Sequence, residues 1–279
     1  MMTGKETVVL KLGGSLITRK DKPLTPNLKV IRAIARSIRR ALLAGHKKDV
    51  KLFLVHGGGS YGHYYAKRHN LSSKGFVRDN SRGVSKTAWA MQEIHTILLR
   101  ELVKNGVNCK TIDASELLNF KGDELSKSGE RKLRNYFDAG LVPVSFGNVL
   151  VTAKGATIVS GDVLCAAFVK RFPTRRVIFS MDVDGIYPTP KLKGKILPLL
   201  GPSTTVTSTL RKFDVTGGVR SKLDLGFEMS ASGASIFFLN GAKGTRLDRC
   251  IQGDANVKAT RIPPSFSARL KNGGRKITV

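Results

Sequence analysis

Cysteine is scarce in this chain. Cys109, Cys165 and Cys250 are the only three in 279 residues, and their wide spacing excludes a disulfide framework and the paired thiols of a structural zinc site. That usage predicts a reducing, cytoplasmic setting. Long apolar runs are missing too, since none approaches the ~18 residues of a membrane span. The stretch Met1 to Thr7 leads straight into a strand pattern, so no signal peptide is expected. There is no internal repeat and no Pro/Ser-rich linker. A length of 279 residues suffices for one large domain or two intimate lobes.

Acid is the third shortage. Asp and Glu number 20 against 48 Lys and Arg, a net charge of +28. Such a balance favours polyanions, whether nucleic acid, anionic membrane or phosphorylated small molecules. The bases are spread along the chain and are not gathered in one arm. Lys29, Arg32, Arg36, Arg39 and Arg40 share a segment with Val30, Ile31, Ile34, Ile38 and Leu42, whose spacing makes an apolar helical stripe. A solvated basic face explains that segment better than a nucleic-acid surface does. The exception is the acid-free end beyond Asp254, with Lys258, Arg261, Arg269, Lys271, Arg275 and Lys276. Nucleic-acid binding is therefore expected only at low salt and without specificity.

What is present is an alternation of strands and helices. Strands are expected at 8–12, 51–55, 109–112, 141–144, 176–180 and 235–239, and helices at about 27–45, 86–105, from Gly161, and 223–232. In the 86–105 helix, Trp89, Ile94, Ile97, Leu98 and Leu102 recur at mostly helical spacing, with Gly106 as the stop. The stretch 191–210 reads as an irregular excursion. The alternation predicts an α/β fold: a largely parallel sheet with helices on both faces, and ligands beyond the carboxyl ends of its strands.

Small-residue loops stand near those strand ends: KLGGS (11–15), HGGGS (56–60), FGN (146–148), SGD (160–162), DVDG (182–185) and DVTGG (214–218). Glycine there permits unusual dihedrals and close approach of phosphate oxygens to backbone N–H groups. One such loop is weak, because tight turns are glycine-rich in any α/β protein. Several on one side of one sheet predict a phosphate site, and none has Walker or dinucleotide-fold spacing.

Together these motifs resemble the amino acid kinase superfamily over about residues 7–245. KLGGSLITRK, with Lys20 nine residues after Lys11, and HGGGSYGH, ending in His63, look like the isopentenyl phosphate kinase branch. Fosfomycin kinases share the histidine and are the nearest look-alike. The resemblance implies a three-layer αβα sandwich, usually a homodimer. Residues 1–160 would form the acceptor lobe, 161–254 the ATP lobe, and 255–279 a basic C-terminal tail. It also implies a reaction: ATP and isopentenyl phosphate give ADP and isopentenyl diphosphate, with Mg²⁺ and no protein residue assigned as metal ligand.

By position in the resemblance, Lys11 and Lys222 hold ATP phosphates, and Lys20 steadies the charge moving from donor to acceptor. Leu12, Gly13, Gly14, Ser15, Gly59, Asp182, Tyr187 and Gly218 complete the ATP site, and Gly58, His63 and Gly161 the acceptor site. A phosphate monoester is a dianion at neutral pH, with second pKa ~6, so no general base is needed. What it needs is an in-line anchor, the role of His63. The blander readings are structural or solvated histidines at 46, 69 and 95, His56 as a packing residue, a surface Lys20 beside Arg19 and Lys22, and a structural turn role for Asp184. Asn148 and Tyr61 depart from the residues the resemblance leads one to expect. Two other functions are weighed: a kinase for fosfomycin or another small phosphate or phosphonate, and a basic binding protein that has lost catalysis.

Overall fold

A strand covered on both faces is apolar at nearly every position. In β1 (Glu6–Leu12) the run from Val8 to Leu12 is buried throughout, the charged Lys11 included. The computed structural model describes residues 6–44, 50–72, 75–119, 123–189, 194–201, 204 and 218–264. After β1 come α1 (Gly14–Ile17), α2 (Leu28–Ala44), β2 (Val50–His56), α3 (Gly59–Arg68) and α4 (Ser81–Lys104). Next are β3 (Cys109–Thr111), α5 (Ala114–Leu117), α6 (Lys127–Asp138), β4 (Val142–Phe146), β5 (Asn148–Thr152) and β6 (Gly155–Val159). The remainder is α7 (Gly161–Arg171), β7 (Arg176–Met181), α8 (Gly218–Ala231), β8 (Ser235–Asn240), α9 (Arg246–Ile251) and β9 (Thr260–Ile262).

Among the described residues seven strands form one sheet in the order β3-β4-β2-β1-β7-β8-β9. Every pairing is parallel except β8 with β9, and β5 with β6 makes a separate antiparallel hairpin. Alternate residues divide between two cores. Val9, Phe53, Val55, Val177, Phe179 and Phe238 join the core that includes Leu164 and Phe168 of α7 and Leu223 of α8. Val8, Leu10, Leu54, Ile178, Phe237 and Leu239 join Ile31, Ile34 and Ile38 of α2 and Ile94 and Leu98 of α4. The result is the expected three-layer αβα sandwich. From β1 the chain first runs to one side of the sheet through β2, then crosses to the other side at β7. That makes the β1/β7 carboxyl edge the switch point where ligands bind.

Several expectations shift. The 86–105 helix starts earlier, at Ser81, because Asn80 caps it by accepting from Gly83 N–H at 3.2 Å. The 223–232 helix likewise starts at Gly218. Trp89 lies off the buried stripe of Ala90, Ile94, Leu98 and Leu102, is 55% exposed, and meets Tyr65 edge-on. The loop expected through His63 is short, since α3 already begins at Gly59 and carries His63 on its second turn. Of the expected tail, residues 255–264 are described and include β9, paired with β8. Residues 265–279, most of the 191–210 excursion, all of DVTGG but Gly218, and His46 lie outside the described residues.

Candidate active site

Two glycines set the floor of the site. The β1 and β2 loops touch so closely that a Cβ on Gly14 would overlap Gly59 N, and Gly59 itself has φ +51°, a left-handed conformation that glycine adopts without penalty. Gly57 N–H donates to Leu12 O at 3.0 Å, and Gly13 N–H donates to Ser180 O at 2.8 Å, so three strand ends are laced together. Leu12 brings only its backbone here, since its side chain is fully buried in the α2 core. Gly161 opens α7 directly against His56 O and Val55.

At this edge the sheet presents a buried charge cluster. Lys11 Nζ lies 2.9 Å from Asp162 Oδ1, and Lys222 Nζ lies 2.9 Å from Asp162 Oδ2. Asp162 sits in the first turn of α7, capped by Ser160 Oγ, which accepts from Val163 N–H, where a helix favours negative charge. Burying a carboxylate is costly unless it is paired. Burial opposes its ionisation, yet the Lys11 and Lys222 ammonium groups hold it well below the usual carboxylate range. For Lys11 burial is the stronger influence and lowers its pKa, with Asp162 opposing. Two cations around one anion leave a surplus positive charge in a low-dielectric setting, which suits a polyanion.

A second cluster lies at the end of β7. Asp182 contacts Lys20 Nζ, accepts from Ser15 Oγ at 3.1 Å, and offers its backbone O to Asn240 Nδ2 at 3.4 Å. Lys20 is thus drawn to the strand ends, whereas its neighbour Arg19 pairs locally with Asp21. With half of the Lys20 side chain in solvent the pair adds little stability, which leaves Lys20 able to change partner. Asp184 is committed elsewhere. Hydrogen bonds from Lys258 and Arg246, each at 2.8 Å, lower its pKa to about 2, which supports a structural turn role. Tyr187 is partly buried in a segment pinned by Ile186 N–H donating to Thr260 Oγ1, and Gly218 is the first residue of α8. His63 is partly buried one turn past Gly59. Asn148 binds Asp113 Oδ2 at 3.1 Å, on the cap of α5.

A sequence profile of the amino acid kinase family matches residues 6–240. The chain belongs to the amino acid kinase family. Within this family it is 28% identical over 270 residues to the isopentenyl phosphate kinase of Methanothermobacter thermautotrophicus, covering 91% of this chain and 98% of that one. It is 30% identical over 243 residues to that of Thermoplasma acidophilum, covering 86% and 94%. Among solved structures, an isopentenyl phosphate kinase substrate complex superposes with a TM-score of 0.72 at 26% identity, over 91% of this chain and 99% of that one.

Two features of this amino acid kinase site escaped the sequence. Asp162 belongs to the SGD loop, yet the loop motif alone gives its carboxylate no role. Its signal was a carboxylate at the start of a helix beside two lysine motifs. The other is His56, fully buried, whose Nε2 lies 3.1 Å from His95 Nδ1, while His95 Nε2 lies 2.7 Å from Thr111 Oγ1. Phe146 stacks on both rings. These histidines, 39 residues apart, carry no one-dimensional signal of their partnership.

Burial, then the facing His95 and Lys11, lower the pKa of His56 to about 3; burial lowers that of His95 to about 4, against the pull of Asp113. In the unfolded chain both titrate near 6.5. Between pH 6.5 and about 4 the folded state therefore binds fewer protons, so stability is lost as pH falls through that window. At pH 5 we expect a loss of about 2 kcal/mol or more from this pair. Thermal melts at pH 7.5 and 5 check it, and an unchanged midpoint would argue against a neutral buried pair.

Proposed function

We propose that this chain transfers the γ-phosphoryl group of ATP to isopentenyl phosphate, giving isopentenyl diphosphate and ADP. The observation that carries the reading is the buried Lys11–Asp162–Lys222 arrangement beside the touching Gly14 and Gly59 loops. The intact cluster argues against a binding protein that has lost catalysis. Relatives named isopentenyl phosphate kinases match along almost their whole length, which supports the acceptor.

Phosphoryl transfer through a loose transition state depends on positioning and charge neutralisation. Lys11 and Lys222 hold the ATP phosphates, with Gly13, Gly14, Ser15, Gly59, Asp182, Tyr187 and Gly218 around the nucleotide. Lys20 leaves Asp182 to follow the transferring charge. His63, with Gly58 and Gly161, fixes the acceptor phosphate in line. The acceptor lobe is 1–160 and the ATP lobe 161–254, joined by the β1–β7 pairing.

Among the described residues no group of three or more His, Cys, Asp or Glu could hold a metal alone. The oxygen set of Asp182 and Ser15 still fits a Mg²⁺ ion that arrives on ATP and keeps several waters. When bound, that ion neutralises phosphate charge. Asp182 and Ser15 would hold it, and Lys20 would remain the mobile cation beside them. A homodimer in the cytoplasm is the proposed assembly and setting. Among the described residues no helix is long and apolar enough to cross a membrane.

The test is an ADP-release assay across isopentenyl phosphate, fosfomycin, carbamate, glutamate and UMP. The highest kcat/KM should fall on isopentenyl phosphate. Turnover of another acceptor with none of this one would overturn the assignment.

The charge of +28 calls for its own test. Retention on heparin or DNA should be strong at low salt and lost near ~0.15 M, where screening acts within ~8 Å. Removing 265–279, with Arg269, Lys271, Arg275 and Lys276, should weaken retention more than kinase activity. A cut at 255 would remove β9 from the sheet and confuse the two effects. Sub-micromolar, sequence-selective binding at ~0.15 M salt would contradict this expectation.

A further inference from the structure

The buried histidine pair has a direction. A carbonyl only accepts hydrogen bonds, so the contact of His56 Nδ1 with Gly57 O, at 3.2 Å, places the proton on Nδ1. A neutral ring then has a bare Nε2, which accepts from His95 Nδ1–H at 3.1 Å. The bare Nε2 of His95 in turn accepts from Thr111 Oγ1–H at 2.7 Å. Each neutral ring donates through one nitrogen and accepts through the other, and the chain of donors runs one way: Thr111, His95, His56, Gly57 O.

Its end point lies in the glycine loop. Gly57 O and Gly58 N–H belong to one peptide unit, and the described chain has no cis peptide. In a trans unit the carbonyl and the N–H point in opposite directions. Drawing Gly57 O down onto the buried His56 ring therefore turns Gly58 N–H away from the core. Gly57 and Gly58 are both partly exposed, and a Cβ on Gly57 would lie 3.8 Å from Lys11 Nζ. Of the nearby N–H groups, that of Ser60 donates to Thr18 Oγ1 and that of Gly57 to Leu12 O. Among the described residues Gly58 N–H has no backbone acceptor.

We infer that His56 and His95 are positioning residues, a buried relay that sets the Gly58 peptide plane so that its N–H faces the phosphoryl group in transit. The inference rests on the proposed phosphotransferase site but not on which acceptor it uses. Glycine alone would not hold that plane, because an unsubstituted residue is free to flip it. Phe146 stacked on both rings fixes their tilt, and the bare Nε2 of His56 fixes the tautomer of His95, with the Thr111 hydroxyl turning to donate. The relay stays neutral through the working pH range, as burial favours the uncharged rings.

Two measurements test it. ¹⁵N-histidine NMR should show two of the five rings protonated at Nδ1 only and not titrating between pH 5.5 and 9, a range set by the ~6.5 of free histidine. An Nε2–H form for His56, or titration near pH 6.5, would refute the relay whatever the enzyme phosphorylates.

The second is kinetic, run with whichever acceptor of the panel turns over. His56→Leu removes the donor and should lower kcat about 10-fold or more, with both KM values within about threefold, as for loss of a transition-state donor. His56→Asn keeps an N–H donor at the Nδ1 position and should recover most of that kcat. Both variants lose ring packing and should melt lower than the parent. Rescue by Asn at a similar melting point is the result a purely structural role would not give. Equal impairment of Leu and Asn variants, or a near-parental kcat in His56→Leu, would overturn it. Failure of every acceptor, with the NMR pattern intact, would instead refute the kinase reading and leave the relay as a structural device.

Discussion

Asp162→Asn is expected to cut turnover by about 10²-fold or more and to destabilise the unliganded protein by about 3 kcal/mol. Asn keeps the shape of the side chain and removes its charge. Lys11 and Lys222, each 2.9 Å from that carboxylate, would then face one another without an anion between them. Breaking a buried pair by deleting one partner typically costs about 3–5 kcal/mol, because the remaining charge is left uncompensated. Lys11 already has a lowered pKa from burial, and losing Asp162 removes the group that opposes the shift. Its folded pKa falls further, so its charge, and the phosphate contact proposed for it, is lost as pH rises through that value.

Two signatures separate this effect from simple unfolding. Activity of the variant should decline more steeply with rising pH than that of the parent. ATP should raise the melting point of the variant more than that of the parent, since its phosphates replace the missing anion. A variant with parental kcat and parental melting point would remove Asp162 from the machinery.

His63→Ala should also cost about 10²-fold or more in kcat, by loss of the proposed in-line anchor, yet leave ATP affinity within a few fold. The motive is its place on the second turn of α3, one turn beyond the glycine whose backbone touches Gly14. An acceptor that is already a dianion needs no proton removed, so the pH–rate profile of the variant should keep the shape of the parent's. ATP binding measured by calorimetry, beside single-turnover transfer, resolves the two contributions. Near-parental transfer would move the acceptor site away from α3.

How much of this was legible is clearest at particular residues. Lys11, Gly13, Gly14 and Ser15 were readable because they follow an apolar run directly, and Lys222 because it follows a glycine pair at a helix start. The sequence did not show that one carboxylate joins Lys11 to Lys222. Asp162 is 151 residues from one and 60 from the other, and its ion pairs exist only after α7 and α8 settle on the same face of the sheet. Trp89 faces solvent for a related reason. Helical spacing tells which residues share a face only roughly, and packing decides where the buried stripe ends.

By itself the sequence determined the alternation of strands and helices, the glycine loops at the strand ends and the excess of positive charge. All three are local properties, set by side-chain period, backbone freedom and composition. Only the tertiary structure decided that His56 and His95 form one neutral chain, that Lys20 turns toward Asp182 while Arg19 does not, and that β9 closes the sheet edge. Each of these depends on a partner far away in sequence. Burial strengthens a polar contact and penalises an unpaired one, so the partner is selected when the layers close and is not written in any neighbouring residue.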